Sequence, residues 1–218
     1  MTRIIMIRHG QSEANAANKF AGHSDFDLTE LGKTQAAAAA KHLRSLENID
    51  VIYASDLLRA HNTALPFAEA YSLPINDRTE LRELFAGEWE GRTIKEIIDI
   101  YGEDFRVWHE DFSNARCTGG ESVGELYSRV VAAVLALAKE NDGKTMLIAT
   151  HATPIRAIEA YANKLGAERI NEIPFVKNSS LNIFEYEGGE LIPVRTNIVD
   201  HLEESLVTDV PKDLDDLK

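Results

Sequence analysis

Two histidines in this chain each follow a short apolar run. Ile4-Ile5-Met6-Ile7 leads into Arg8-His9-Gly10, and Met146-Leu147-Ile148-Ala149-Thr150 leads into His151. Runs of this length read as buried strands, and open α/β sheets bind ligands just beyond the carboxyl ends of their strands. The two imidazoles are therefore predicted to meet at one sheet edge, although most of the chain separates them. Near neutrality an imidazole offers one unprotonated ring nitrogen while a hydrogen bond holds the other, which suits attack on phosphorus. A neighbouring guanidinium binds a phosphoryl dianion through planar paired donors, and its charge disfavours the protonated histidine. Arg8 beside His9 supplies both effects.

The elements that must position these residues follow from pattern and punctuation. Residues 1–7, 50–54 and 144–150 read as buried strands, and residues 11–27 as an irregular or partly helical loop. Residues 30–46, with five consecutive alanines at 36–40, form a helix of high propensity. Another helix begins at Ser55, with Ser55 or Asp56 as its side-chain cap, and Pro66 predicts a kink or break within it. Capping boxes at Thr93-Ile94-Lys95-Glu96 and Ser122-Val123-Gly124-Glu125 start two more helices, the second carrying Leu126, Val130, Val134 and Leu137 on one face. The intervening aromatic and charged stretch 101–116 reads as a helical excursion, and the whole segment at about 92–120 as lid-like. Pro154 sits in the first turn of a further helix, and Gly188-Gly189 joins residues 181–186 and 190–194 as a hairpin. Strands alternating with helices predict an α/β fold: a three-layer α/β/α sandwich on a mostly parallel sheet with an antiparallel edge strand.

With no linker or repeat to divide it, the 218-residue chain reads as one domain over 1–202, followed by an acidic tail at 203–218 that is solvated and weakly packed. The net charge of −13 argues against a nucleic-acid partner or an anionic membrane surface, so any anionic substrate needs a locally positive pocket. No stretch approaches the ~20 apolar residues of a membrane span, and the N-terminus lacks a signal-peptide core. Cys117, the single cysteine, allows no internal disulfide, which fits a cytoplasmic protein. His23, His42, His61, His109 and His201 lack zinc-type spacings, so neither a metal nor another cofactor is expected. Trp89, Phe105, Trp108 and Phe112 belong either to the core or to a pocket entrance. Nothing in the sequence specifies an oligomeric state.

Further motifs set the histidines in context. Arg8-His9-Gly10-Gln11-Ser12-Glu13-Ala14-Asn15, Asp27-Leu28-Thr29-Glu30-Leu31-Gly32 and Ser55-Asp56-Leu57-Leu58-Arg59-Ala60 are followed by Gly87-Glu88-Trp89-Glu90-Gly91, Gly119-Gly120-Glu121-Ser122 and His151. In content and order these resemble the motifs of the histidine phosphatase superfamily, the phosphoglycerate mutase-like proteins, and most closely its phosphatase-like branch. The resemblance implies that His9 is the nucleophile that becomes phosphohistidine, with Arg8, Arg59 and His151 on the transferring group. It further implies that Asn15 and the Ala152 position contact phosphate and that Glu83 donates the leaving-group proton. Such a carboxyl must hold its proton near the working pH through burial or neighbouring charge; Glu88, Glu90 and Glu121 are the alternative acids. The implied activity is hydrolysis of a small phosphorylated metabolite. The alternatives are a cofactor-dependent phosphoglycerate mutase and a non-catalytic phospho-ligand-binding module. Thr150 and Ala152 depart from the residues that commonly flank the second histidine in this superfamily, at positions whose side chains the chemistry does not need.

Overall fold

Strand β1 (Thr2–Arg8) buries Ile4, Ile5, Met6 and Ile7 completely, as a continuous apolar run does when both faces of a sheet are covered. The computed structural model describes residues 1–208. Five further strands complete the sheet: β2 (Val51–Ala54), β3 (Ile75–Asp77), β4 (Thr145–Thr150), β5 (Leu181–Glu187) and β6 (Glu190–Ile198). Their spatial order is β3-β2-β4-β1-β5-β6. The first four run parallel, while β5 is antiparallel to β1 and β6 to β5. The predicted antiparallel edge is thus a two-stranded hairpin, turned at Gly188 and Gly189 with positive φ.

The helices are α1 (Glu13–Ala16), α2 (Glu30–Leu46), α3 (Leu58–Tyr71), α4 (Ile94–Glu110), α5 (Val123–Glu140) and α6 (Ala152–Ala162). Alternate residues of β1 serve opposite layers. Ile5 and Ile7 pack with Ala39, Ala40, Leu43, Ala64 and Phe67 of α2 and α3. Ile4 and Met6 pack with Leu126, Val130, Val134, Ile155 and Ile158 of α5 and α6. Three layers result, and the alanine run in α2 lets that helix lie close on the sheet.

Both predicted capping boxes form, at Thr93 and Ser122. Helix α3 departs from expectation twice. Its cap residue is Leu57, without a side-chain bond, and the carboxylate of Asp25 accepts from the Leu58 N–H instead. It also runs unbroken through Pro66. Proline deletes only the bond to the Asn62 carbonyl, and that side of the helix is partly open to water while Thr63, Ala64 and Phe67 hold the buried side. The excursion at 92–120 contains α4, which bends at Tyr101 (φ −124°, ψ 35°) and buries Ile97 and Phe105 in the core. Residues 203–208 of the predicted tail are docked rather than free: the Gln35 side chain donates to the Leu206 carbonyl, and the Thr208 hydroxyl donates to Asn178. The rest of the tail lies outside the described residues. No helix among the described residues is long and apolar enough to cross a membrane.

Candidate active site

Parallel pairing sets Arg8 opposite Thr150, so the next residues of the two chains, His9 and His151, leave the sheet side by side. The His9 N–H donates to the Thr150 carbonyl at 2.9 Å, and the imidazole centroids lie 5.2 Å apart at an interplanar angle of 62°. After His9 the chain passes the N-terminus of α2 at a separation that excludes side chains. A Cβ on Gly10 would lie 2.3 Å from the Gly32 carbonyl oxygen, and one on Gly32 would lie 2.1 Å from the Gln11 oxygen. Two glycines far apart in sequence therefore set the position of the His9 turn.

His9 Nδ1 lies 2.7 Å from the Gly10 carbonyl, which only accepts, so Nδ1 carries the proton and Nε2 keeps a lone pair. His9 is 4% exposed and lines a cavity of about 470 Å³. Burial, then the charges of Arg59 and Arg8, push its pKa well below the usual histidine range. His151 is likewise pushed down, by burial first and then by Arg59, His9, Arg8 and His23. Both rings are neutral near pH 7. Nε2 of His151 lies 2.8 Å from the Ser55 hydroxyl.

The arginines are fixed by carbonyls rather than by carboxylates. Arg8 donates to the Val176 carbonyl at 2.5 Å and lies over the Phe175 ring. Arg59, 1% exposed, donates to the Ser24 and Gly22 carbonyls. Burial lowers the pKa of both, Arg8 to about 10, and leaves them charged near pH 7. Arg8 Nε, Arg59 Nε and His151 Nδ1 are all buried without a hydrogen-bond partner. A buried polar atom left unpaired costs about 1–3 kcal/mol, and three donors of this kind around one pair of histidines are the groups that could bind an anion.

Asn15 lines the cavity, and its Oδ1 accepts from Ser12 N–H and from Asn178 Nδ2, which leaves its own Nδ2 as a donor. Ala152 opens α6 and also lines the cavity, so the positive end of that helix faces the same space. Glu83 enters from the loop before Gly87, its carboxylate accepting from the Leu84 N–H at 2.9 Å and the Thr153 N–H at 3.4 Å. The alternative acids have other roles. Glu90 binds the backbone of His23 and Ala86, Glu121 pairs with Arg129, and Glu88 accepts from Tyr101. Of these four carboxylates only Glu83 lines the cavity.

Trp108 and Phe112 form cavity wall with Phe20, Leu84 and Ile94, whereas Trp89 and Phe105 are core. Sequence reasoning missed Asn178, Thr208, Arg156 and Phe175 as lining residues. Asn178 Nδ2 also donates to the His9 carbonyl, tying the backbone of His9 to Asn15. Arg156 is held by the Ile173 and Ile170 carbonyls and lies over the Phe112 ring. Ser55 was legible only as a cap, yet it is the first residue after β2 at the same sheet edge as the histidines. That position was the available signal.

Neutral imidazoles and unpaired guanidinium donors, gathered where parallel strands end, define an α/β enzyme of phosphoryl transfer. The chain belongs to the histidine phosphatase superfamily (branch 1), whose family model matches residues 4–199, and it is a phosphatase of that family. It is 35% identical over 208 residues to phosphoserine phosphatase 1 of Hydrogenobacter thermophilus, covering 95% of this chain and 97% of that one. Among solved structures it is similar to Bacillus stearothermophilus YhfR, with a TM-score of 0.88, 28% identity, and coverage of 93% of this chain and 100% of that one. A phosphoserine phosphatase of Entamoeba histolytica solved with phosphoserine matches at a TM-score of 0.81 and 26% identity, covering 93% and 100% of the two chains.

Proposed function

We propose that the protein hydrolyses a small phosphorylated metabolite through a phosphohistidine on His9. The observation that carries this reading is the set of unpaired atoms on Arg8, Arg59 and His151 beside a histidine whose Nε2 bears a lone pair. His9 Nε2 attacks phosphorus while the Glu83 carboxyl gives its proton to the departing oxygen, so the P–O bond breaks as the N–P bond forms. Water then attacks phosphorus, the N–P bond breaks and returns its electron pair to His9 Nε2 as phosphate forms, and the Glu83 carboxylate takes the water proton and returns to its acid form. Throughout, Arg8, Arg59, His151, the Asn15 amide and the Ala152 N–H face the three equatorial oxygens, on which negative charge spreads. None of these groups needs a metal ion or another cofactor to act.

Phosphoserine, the substrate named for two relatives, is a first candidate. Selectivity rests on α4 and the turn after it, which supply Ile94, Trp108 and Phe112 to the cavity wall, and on Arg156. Residues 1–202 act as the phosphatase domain, to which the docked residues 203–208 add Thr208 at the cavity wall, and the buried thiol of Cys117 suits a reducing cytoplasm. The test is a panel of phosphomonoesters on wild type and His9→Ala: turnover abolished in the variant is expected, and undiminished turnover refutes the nucleophile. Including 3-phosphoglycerate with and without 2,3-bisphosphoglycerate separates hydrolysis from mutase action. Binding across the panel without turnover would instead indicate a phospho-ligand-binding module.

A further inference from the structure

Ser55 is fully buried, and its hydroxyl lies 2.8 Å from Nε2 of His151. Its oxygen already accepts, weakly, from the Leu57 N–H at 3.4 Å. Among the described residues, His151 is the one acceptor within reach of the Ser55 O–H. If His151 Nε2 donated instead, the proton of the fully buried Ser55 hydroxyl would have no acceptor, at a cost of about 1–3 kcal/mol. Directing the hydroxyl proton at Nε2 satisfies both groups. Nε2 is then the acceptor and the ring proton resides on Nδ1.

Nδ1 is the buried atom without a partner. In the other tautomer it would present a lone pair, which repels a phosphoryl oxygen. As an N–H it is an unpaired donor on a ring whose centroid lies 5.2 Å from that of His9, the ring that bears the attacking Nε2. The backbone holds Ser55 in turn, because the Ser55 N–H donates to the Ala149 carbonyl at 2.9 Å, two residues before His151.

We propose that Ser55 is a positioning residue that holds His151 in the Nδ1-protonated tautomer, making that nitrogen a hydrogen-bond donor to the transferring phosphoryl group. The inference rests on the phosphoryl-transfer reading of the site. It gives the two histidines opposite tautomeric duties although both are protonated on Nδ1. On His9 the Gly10 carbonyl fixes that proton and frees Nε2 to attack, whereas on His151 Ser55 occupies Nε2 and leaves the Nδ1 proton as the free donor.

The test begins with nitrogen NMR of the wild-type protein carrying 15N-histidine at pH 7, with the His151 signals assigned by their loss in His151→Gln. The expected spectrum has Nδ1 protonated and Nε2 bare; a proton on Nε2, or an even mixture, overturns the proposal without any substitution at Ser55. Ser55→Ala should then lose the single tautomer and lower kcat by about 10- to 100-fold, the range seen when an outer partner that orients a functional imidazole is removed. KM should change less than kcat, and Ser55→Thr, which keeps the hydroxyl, should recover both tautomer and rate. An equal loss of kcat in Ser55→Ala with the tautomer unchanged would make Ser55 merely structural and also overturns the proposal. Wild type lacking His9-dependent phosphatase activity would refute the functional reading instead, while the spectrum still reports on Ser55.

Discussion

Gly32 lies in the first turn of α2 and does not line the cavity, yet replacing it should disable His9, the proposed nucleophile. A Cβ at this position would lie 2.1 Å from the Gln11 carbonyl oxygen and 2.9 Å from the Gln11 nitrogen, both backbone atoms that cannot swing aside. Restoring even a tight contact requires Gln11 and α2 to separate by about 1 Å, and a shift of ~1 Å in catalytic geometry costs about 100-fold in rate. The displacement cannot stay local. Gln11 is two residues from His9, its N–H is held by Gln35 of the same helix, and Gly10 is pressed against Gly32 from the other side. Overpacking of this kind also destabilises by about 1–3 kcal/mol. Gly32→Ala should therefore fold with a lowered Tm and lose about two orders of magnitude in kcat, with a smaller change in KM because Arg59 and Asn15, the proposed phosphate ligands, are held by other contacts. Steady-state kinetics beside thermal melts is the assay. A variant with wild-type kcat would refute the idea that this glycine contact positions His9, and a loss confined to KM would place the effect in binding.

Three further outcomes follow from the site. Glu83→Gln should reduce kcat by about 10²- to 10⁴-fold for alkyl phosphates and much less for the phosphorylation step of p-nitrophenyl phosphate, whose leaving group needs no proton; equal losses in single-turnover measurements would remove Glu83 as the acid. Arg59→Lys keeps the charge but cannot reach both the Gly22 and Ser24 carbonyls and the phosphate with one ammonium, so kcat should fall about 100-fold or more, and near-normal turnover would contradict the fork geometry. His9 and His151 have folded pKa values depressed below the unfolded value near 6.5, so the unfolded chain binds more protons below that pH. Stability is thus complete above about pH 6.5 and falls as pH drops toward the folded pKa values, by up to about 1.4 kcal/mol per pH unit for each histidine. Denaturant melts between pH 7 and pH 5 should show this slope, and His9→Asn should reduce it; identical slopes in the two proteins would contradict the buried neutral state.

Where local chemistry decided structure, the sequence was readable. The apolar runs before His9 and His151 became adjacent parallel strands because both are buried on two faces, and their register alone brings the imidazoles together. The capping boxes at Thr93 and Ser122 formed because each satisfies its own helix end. Features decided by distant packing were not legible. Asp25 caps α3 from another loop, and the buried face of α3 carries the helix past Pro66 despite the lost bond. Asn178 sits in a segment with no periodic pattern, and its contacts to His9 and Asn15 exist only once β5 lies beside β1. The resemblance selected Glu83 among four carboxylates, and of the four it is the one that lines the cavity, a placement no local pattern showed.

The most direct measurement is to mix the protein with substrate, quench in base within the first turnover, and locate the phosphoryl group by mass spectrometry. A phosphoryl group on His9, stable in base and lost in acid, is the predicted result. Turnover by a protein that never carries a phosphoryl group on His9, or full activity in His9→Ala, would contradict it.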